Sequence, residues 1–205
     1  MAYVEVTDPE ELRALLGEPG ARAAGKDRDR LQPIDCEWLA ASPFCLVATS
    51  GADGTCDVSP KGDPPGFTHV LDERTIAVPE RPGNKRADGF LNILANPHVG
   101  LIYFVPGRSD TLRVNGRARL LRDAPFFDAM VVKGHRPEFA LLVEIEQLFY
   151  HCAKAFLRSQ LWKPETWTPD AVPSRAQIVS RLEAPDTPLA ELERHYGPAY
   201  EANLY

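Results

Sequence analysis

The sequence predicts a mainly β protein, an antiparallel barrel with attached helices, and three observations support this class. About six stretches between residues 44 and 149 are rich in β-branched and aromatic residues, and short turns join most of them as hairpins. Helical spacing occurs mainly before and after these strands, with one helix between them. The sequence contains no Gly-x-Gly-x-x-Gly motif, Walker loop or repeat, which argues against a doubly wound α/β sheet.

Composition narrows the range of partners. The 205 residues are 44% hydrophobic and 25% charged, with a net charge of −6, so nucleic acid is not the expected partner. No apolar run approaches the ~20 residues that cross a membrane, and the acidic N-terminal segment does not resemble a signal peptide. The four cysteines lack metal-site or Cys-x-x-Cys spacing, so we expect free thiols and a cytoplasmic location.

Two short helices are predicted before the first strand. A capping box at residues 7–10 begins a helix over 8–16. Residues 22–30 are polar and basic, as in an exposed connection. Asp35 is placed to cap a second helix that ends before Pro43. The residues predicted to turn inward from the first helix are Leu12, Leu15 and Leu16.

The strands follow in chain order. The prolines within residues 59–66 predict a stiff loop that cannot join a sheet ladder. Residues 111–121 alternate between apolar and polar side chains, and Gly116 within them predicts a bulge or a close backbone approach. The predicted strands are 44–49, 55–59, 70–71, 75–78, 99–105, 111–121 and 139–149. Later helices are predicted over 84–94, 123–132 and 152–161, with two weak ones in a Pro-rich tail.

The helix over 84–94 has an unusual charge at its start. Asn84 is a good N-cap, but Lys85 and Arg86 then occupy the first turn, where the helix dipole favours carboxylates. Each cation there is unfavourable by roughly 0.3–1 kcal/mol unless an anion binds, and phosphate suits such a position best. The alternative is that Asp88 neutralises the pair in solvent. The apolar residues Phe90, Leu91, Ile93 and Leu94 are predicted to share one face.

Other chemistries have little support. The five histidines show no pair at metal-ligand spacing, so no metal is expected. Ser59 is followed by proline and lies outside any nucleophile elbow, while His151 and Cys152 are adjacent and point apart. What remains is a set of groups suited to a phosphate and a ring: the cations Lys61, Arg81, Lys85 and Arg86, the polar Ser59, Asn84, Thr111, Arg113 and Asn115, and the aromatic Trp162. Arg117 and Arg119 fit an ordinary solvated sheet face.

Three segments together resemble the pyridoxamine 5′-phosphate oxidase-related flavoproteins, and especially a subgroup defined only by FMN binding. They read VSPKGDPPGF (58–67), VPERPGNKRADGFLNILANPHVGLIYFVPGRSDTLRVNGRARLL (78–121) and FYHCAKAFLRSQLW (149–162). The resemblance covers about residues 40–165. It implies a homodimeric split β-barrel that binds FMN in a cleft at the subunit interface. The implied organisation is an N-terminal helical extension (1–35), an FMN-binding domain (36–165) and a Pro-rich tail (166–205).

The resemblance also implies a set of cofactor-binding residues. The run from Asn84 to Arg86 matches the family's Ser-Arg-Lys phosphate site, and Lys61 matches its basic strand-end residue. The segment from Thr111 to Val114 matches a Gln-x-Arg-x segment, and Trp162 matches an aromatic side chain from the partner subunit. The full expected set is Ser59, Lys61, Ala77, Val78, Pro79, Arg81, Asn84, Lys85, Arg86, Thr111, Arg113, Lys154, Ser159 and Trp162.

The implied function is an FMN-dependent oxidoreductase with a small-molecule electron donor and acceptor and no assigned catalytic residue. The oxidases carry an Arg-x-His pair near the C-terminus for their substrate, whereas this chain has only the adjacent Arg194 and His195. Pyridoxamine 5′-phosphate is therefore not the expected substrate. The alternatives are a true pyridoxamine 5′-phosphate oxidase, a deazaflavin-dependent reductase, a haem-utilisation protein with His151 as the axial ligand, and a non-enzymatic flavin-binding protein.

Overall fold

Seven antiparallel strands form one sheet in the computed structural model, which describes residues 2–198, 200, 204 and 205. The strands are β1 (Phe44–Ser50), β2 (Cys56–Gly62), β3 (His69–Asp72), β4 (Thr75–Pro79), β5 (His98–Phe104), β6 (Thr111–Leu121) and β7 (Ala140–His151). Their order across the sheet is β2-β1-β5-β6-β7-β4-β3, so β2 and β3 form its edges. This confirms the mainly β, antiparallel fold predicted from the hairpin pattern.

Helices lie at both ends of the chain and once between strands. They are α1 (Pro9–Leu16), α2 (Ala21–Ala24), α3 (Pro33–Ala41), α4 (Asp88–Ala95), α5 (Lys154–Ser159), α6 (Arg175–Leu182) and α7 (Leu189–His195). The helix predicted over 123–132 is instead a 3-10 helix, Pro125–Met130. The two weak C-terminal helices are confirmed as α6 and α7, which pack against each other. Residues 199 and 201–203 of the predicted tail lie outside the described residues. None of the described helices combines the length and apolar character needed to span a membrane.

Strand β6 runs through the middle of the sheet. Leu112, Val114 and Ala118 are buried on its inner face, which confirms the predicted alternation. The predicted bulge is also confirmed, because the register with β7 shifts between Asn115 and Gly116. A Cβ atom at Gly116 would lie only 2.0 Å from the carbonyl oxygen of Glu144, so no other residue fits without backbone movement.

Strand β2 corrects the prediction of a stiff loop outside the sheet. Pro60 and Lys61 pair with Leu46 and Cys45 of β1, so the ladder continues to Gly62. Proline is tolerated because β2 is an edge strand, where one N–H direction has no partner strand to satisfy. The Pro-rich sequence therefore indicates an edge strand here.

Helix α1 forms as predicted but does not bury its leucines. Asp8 caps it by accepting a hydrogen bond from the backbone N–H of Glu10. Leu12, Leu15 and Leu16 are 44%, 67% and 71% exposed, so the prediction that they turn inward is wrong. Their spacing predicts an apolar face correctly, but spacing cannot supply a surface to cover that face.

The connection over 22–30 is mostly exposed, as predicted, and Arg28 anchors it to the barrel. Arg28 exchanges two backbone hydrogen bonds with Leu148 of β7. Its guanidinium also pairs with Asp35, which is fully buried. Asp35 is the third residue of α3 rather than its cap, and it accepts a 2.8 Å hydrogen bond from the backbone N–H of Gln32.

Asp35 should make the stability of the fold depend on pH. Burial alone would raise the pKa of Asp35, but the hydrogen bonds from Arg28 and Gln32 outweigh it and lower the pKa below its usual value. A depressed carboxyl pKa stabilises the fold above the unfolded value of about 3.9, and this stabilisation is lost as the pH falls through the folded pKa. We expect Asp35→Asn to reduce the free energy of unfolding at pH 7 by about 2–3 kcal/mol.

Urea unfolding at several pH values between about 2 and 7 measures this effect. Asp29→Asn is the matched control, because Asp29 is an exposed carboxylate that also pairs with an arginine, Arg74. Because solvent screens the ion pairs of the exposed Asp29, that control should lose much less stability than Asp35→Asn at pH 7. Superimposable curves for the wild type and Asp35→Asn above pH 4 would contradict the role given to Asp35.

Candidate functional site

A cleft of about 1090 Å³ opens where the sheet fails to close. It lies between β2 at one edge and the chain that leaves β4, which belongs to the opposite side of the barrel. Such a volume suits a ligand of cofactor size. The cleft is lined mainly by residues 57–62, 79–90 and 135–139. A second depression of about 320 Å³ over Ser50, His98 and Asn115 is shallow and open to solvent.

The segment between β4 and α4 carries the cations expected at the helix start. Helix α4 begins only at Asp88, so Asn84 is not its N-cap and Lys85 and Arg86 precede its first turn. Asn84 instead closes a local turn by accepting a 3.1 Å hydrogen bond from the backbone N–H of Arg86. The prediction failed because asparagine favours helix caps and turns for the same reason, its short side-chain acceptor.

This turn holds an uncommon backbone conformation. Lys85 and Ala87 have φ values of 61° and 60°, in the left-handed region that residues with a side chain seldom adopt. Such a conformation costs on the order of 1–3 kcal/mol per residue and clusters at ligand-binding sites. The start of α4 also lacks a side-chain cap, and its first residues, 88–90, line the cleft.

Two cations of the cleft already have carboxylate partners. Lys61 Nζ lies 2.5 Å from Glu80 Oε2, and Arg81 Nε lies 2.5 Å from Asp63 Oδ2. The Asp63 side chain is only 2% exposed. Arg81 also donates to the carbonyl oxygens of Met130 and His135, at 2.7 and 3.3 Å, and Tyr205 donates its hydroxyl to Asp63. Both ion pairs join the β2 side of the cleft to the segment after β4, so we assign them to holding its walls.

The two cations of the turn are more available. The Arg86 side chain is 73% exposed and pairs with Asp88 at 2.7 Å, a hydrogen bond that raises its pKa and keeps it charged. Lys85 has no ion-pair or hydrogen-bond partner within the described part of the chain. An exposed ion pair is weak and exchanges readily, so these two side chains can turn toward an incoming anion.

Carboxylates of the cleft were missed in the sequence. Asp57 accepts a 2.7 Å hydrogen bond from Ser59, and its Oδ2 would lie 2.9 Å from a Cβ atom added at Gly89. Strand β2 therefore approaches the first turn of α4 closely. Glu80 in the cleft and Asp63 beside it were missed as well, because the pairing of acids with cations across loops leaves no periodic signal in a sequence. Asp88 was expected as a neutralising partner, and it does pair with Arg86.

The structure brings together half of the predicted binding residues. Ser59, Lys61, Pro79, Arg81, Asn84, Lys85 and Arg86 all line the cleft. Ala77 and Val78 are buried within β4 and contribute to it only through the strand that leads there. None of the remaining five lines this cleft: Thr111, Arg113, Lys154, Ser159 and Trp162. Their role in binding stays a prediction that needs a second subunit.

These five residues lie on β6 and around α5. Thr111 is buried at the start of β6. Trp162 follows α5, donates its indole N–H to the carbonyl oxygen of Arg108 at 2.7 Å, and stacks on Phe156 with 6.1 Å between ring centroids. Among the described residues, no group of three or more His, Cys, Asp and Glu side chains is arranged to hold a metal ion.

Comparisons with known proteins identify the family. The family model for pyridoxamine 5′-phosphate oxidase matches residues 36–152. HupZ from Group A Streptococcus is 18% identical, with a TM-score of 0.47, over 58% of this chain and 93% of that one. A second similar structure is a protein from Clostridium acetobutylicum related to general stress protein 26, of the pyridoxinephosphate oxidase family. It is 15% identical, with a TM-score of 0.41, over 58% of this chain and 85% of that one.

An F420 reductase is 19% identical, with a TM-score of 0.40, over 58% of this chain and 98% of that one. A search of curated proteins finds no match. The family model spans more than half of the 205 residues and covers β1 to β7. The chain therefore belongs to the pyridoxamine 5′-phosphate oxidase family, and its open antiparallel sheet is that family's split β-barrel.

Proposed function

We propose that this protein is an FMN-dependent oxidoreductase that acts as a homodimer on a substrate other than pyridoxamine 5′-phosphate. The observation that carries the proposal is the turn at Lys85 and Arg86. Two exchangeable cations sit on a strained turn, beside an uncapped helix start, in a cleft of cofactor size. The family supports a flavin as the ligand, and the turn supports a phosphate on it.

In this proposal the phosphate lies between the turn and the start of α4. Arg86 would leave Asp88 and form a charge-assisted pair with the phosphate, and Lys85 would add a second cation. The first N–H groups of α4 would complete the site. Asp57 and Asp88 limit how strongly any anion can bind here, because each places a negative charge near the same turn.

The flavin ring would lie along the end of β4 and against β2. Bound FMN would supply the redox chemistry, while the chain supplies position and charge. Lys61 would set the local charge beside the ring, with Glu80 holding its ammonium group in place. Phe90 supports the same ammonium group, since its ring centroid lies 4.7 Å from Nζ. A cytoplasmic location fits the four free cysteines.

Exposed apolar side chains beside the cleft support the homodimer. Val58 on β2 and Leu91 and Leu94 on α4 are 59%, 61% and 72% exposed. The two leucines were expected to share one helix face with Phe90 and Ile93. Only Ile93 of that predicted set is fully buried. Apolar groups clustered at the rim of a binding cleft are typical of a surface that another protein covers. We propose that a second copy covers it and adds Trp162 and Thr111 to the flavin site.

The first test concerns the phosphate site. Arg86→Ala should weaken FMN binding by roughly ten- to a hundredfold, because one charge-assisted hydrogen bond is lost, and Lys85→Ala/Arg86→Ala should weaken it further. Asp88→Asn should instead strengthen binding, because it frees Arg86 from its carboxylate. Flavin fluorescence titration measures all three, and riboflavin, which lacks the phosphate, should bind the wild type poorly.

Arg119→Ala is the matched control, because Arg119 is an exposed arginine that pairs with Glu144 outside the cleft. Its FMN affinity should equal that of the wild type. An unchanged affinity in Lys85→Ala/Arg86→Ala would refute the assignment of the phosphate site. The absorption spectrum of the bound cofactor separates FMN from a deazaflavin, which would use a similar phosphate site.

The second test concerns the dimer. Leu91→Glu/Leu94→Glu should convert the dimer to a monomer and release flavin, because it places two charges in the proposed interface. Sedimentation measures the mass of the assembly, and absorbance measures the amount of bound flavin. Leu182→Glu is the control, since Leu182 is 78% exposed on α6, outside this surface. A monomeric wild type with a full complement of FMN would rule the proposal out, as would an unchanged dimer in the double variant.

The third test concerns the substrate. Pyridoxamine 5′-phosphate needs a phosphate clamp separate from that of FMN, but Lys61 and Arg81 are engaged by Glu80 and Asp63. Arg194 donates back to its own helix, at the carbonyl oxygen of Ala190. We therefore expect no useful turnover when the FMN-loaded protein is incubated with this amine in air. Pyridoxal phosphate and peroxide are measured, and steady turnover near about one per second would overturn the expectation.

A further inference from the structure

Three nitrogen-bearing side chains surround one aromatic ring on β7, away from the cleft. Arg113 Cζ lies 4.3 Å and Lys26 Nζ 4.2 Å from the ring centroid of Phe149. The imidazole of His151 lies 5.0 Å from the same centroid. We call Lys26, Arg113 and His151 the β7 cation cluster. Arg113 and His151 come from neighbouring strands, β6 and β7, and Lys26 comes from the connection that Arg28 anchors to β7.

The positive charge of this cluster is not balanced locally. Neither Lys26 nor Arg113 lies within ion-pair distance of a carboxylate in the described part of the chain, unlike Lys61, Arg81 and Arg86. Lys26 donates to the carbonyl oxygen of Tyr150 at 3.1 Å. An aromatic ring stabilises a nearby cation by only about 0.5–2 kcal/mol. Two cations on one ring therefore leave a region of positive potential, in a chain whose net charge is −6.

A neutral amide separates Arg113 from the carboxylate in its hydrogen-bond network. Arg113 donates to Gln147 Oε1 at 3.1 Å, and the same oxygen accepts from Asn115 at 2.7 Å. Gln147 in turn donates to Asp27 at 2.6 Å. The amide oxygen of Gln147 is thus shared between two donors, and the Asp27 charge is held beyond it. Arg113 consequently keeps donors that no acceptor satisfies.

Two polar atoms of the cluster are buried without partners. Arg113 Nε and His151 Nε2 have no hydrogen bond to any described residue. Buried polar atoms are nearly always paired, because each unpaired one costs about 1–3 kcal/mol. Burial lowers the pKa of His151, and the nearby Arg113 and Lys26 lower it further. The two unpaired atoms and the two cations together describe a cluster in which positive potential and polar atoms lack an acceptor among the described residues.

We propose that the β7 cation cluster is an anion site, separate from the flavin cleft, that binds a small oxyanion such as phosphate or a carboxylate. The guanidinium of Arg113 presents a planar set of donors that matches an oxyanion. Lys26 adds a point charge, and His151 adds a third donor in the tautomer that carries its proton on Nε2. None of these residues lines the cleft described above. Arg113 also belongs to the set expected to reach the flavin of a second copy, so the anion site is tested through the His151 resonances and not through FMN affinity.

The test uses inorganic phosphate as the probe and the full chain. Calorimetry measures the phosphate affinity, and the ring nitrogen shifts of His151 at pH 7 report binding at the cluster itself. Sodium chloride at equal ionic strength corrects for screening. Lys85→Ala/Arg86→Ala serves as the background, because it removes the proposed anion site of the cleft. We expect phosphate to shift the His151 resonances in this background as it does in the wild type.

Variants of the cluster should abolish the response. Arg113→Gln should weaken phosphate binding by roughly ten- to a hundredfold, because it removes charge-assisted hydrogen bonds. Lys26→Met is a second variant in a surface connection, which keeps the test decisive if Arg113→Gln fails to fold. Arg119→Gln is the control, since Arg119 lies on the same strand and pairs with Glu144. Acetate in a parallel titration distinguishes a carboxylate site from a phosphate site.

The outcomes are distinct from those for the flavin cleft. His151 shifts that match those in sodium chloride would overturn the anion site, whatever the affinity for FMN. Equal phosphate affinity in Arg113→Gln and the wild type would overturn it as well. Loss of phosphate binding in Lys85→Ala/Arg86→Ala alone would assign the anion to the cleft and leave none for the cluster.

Discussion

The open side of the barrel is the constraint on which the site depends. Strands β2 and β3 are the two edges of the sheet and share no ladder, so a gap remains between β2 and the segment after β4. Two ion pairs, Lys61 with Glu80 and Arg81 with Asp63, join the walls of this gap. Breaking either pair would leave a largely buried charge uncompensated, which is far more costly than the pair itself is stabilising. These two ion pairs therefore fix the positions of the two walls of the cleft relative to each other.

This arrangement divides the cations of the cleft into two kinds. Lys61 and Arg81 are fixed by carboxylates and neighbouring carbonyls, so they shape the cleft. Lys85 and Arg86 lie on an exposed turn whose left-handed residues hold them at the start of α4. The backbone conformation of this turn opposes folding, so stability does not explain it, and this is the observation that favours the proposed ligand site.

The sequence predicts most of the sheet correctly but only part of the candidate site. The alternation of β6 and the bulge at Gly116 were predictable, because both follow from local periodicity and the absence of a side chain. The pairing of Pro60 within β2 was not predictable, because a sheet tolerates proline only in an edge strand and the sequence does not show which strands are edges. The partners of Arg81 were not predictable either, because only the tertiary structure brings Asp63 and the carbonyl oxygen of Met130 close to it.

The predicted binding residues form two groups that lie apart in the structure of the single chain. The group around Lys85 lines the cleft, whereas Thr111 and Trp162 lie on β6 and beyond α5. The family resemblance identifies both groups of residues, but it does not show whether one chain or two chains supply them to a single site. If the rim leucines Leu91 and Leu94 are covered by a second copy, burial of apolar surface and completion of the site become the same event. Flavin binding and dimerisation should then stabilise each other through linkage, since each favours the same assembled state.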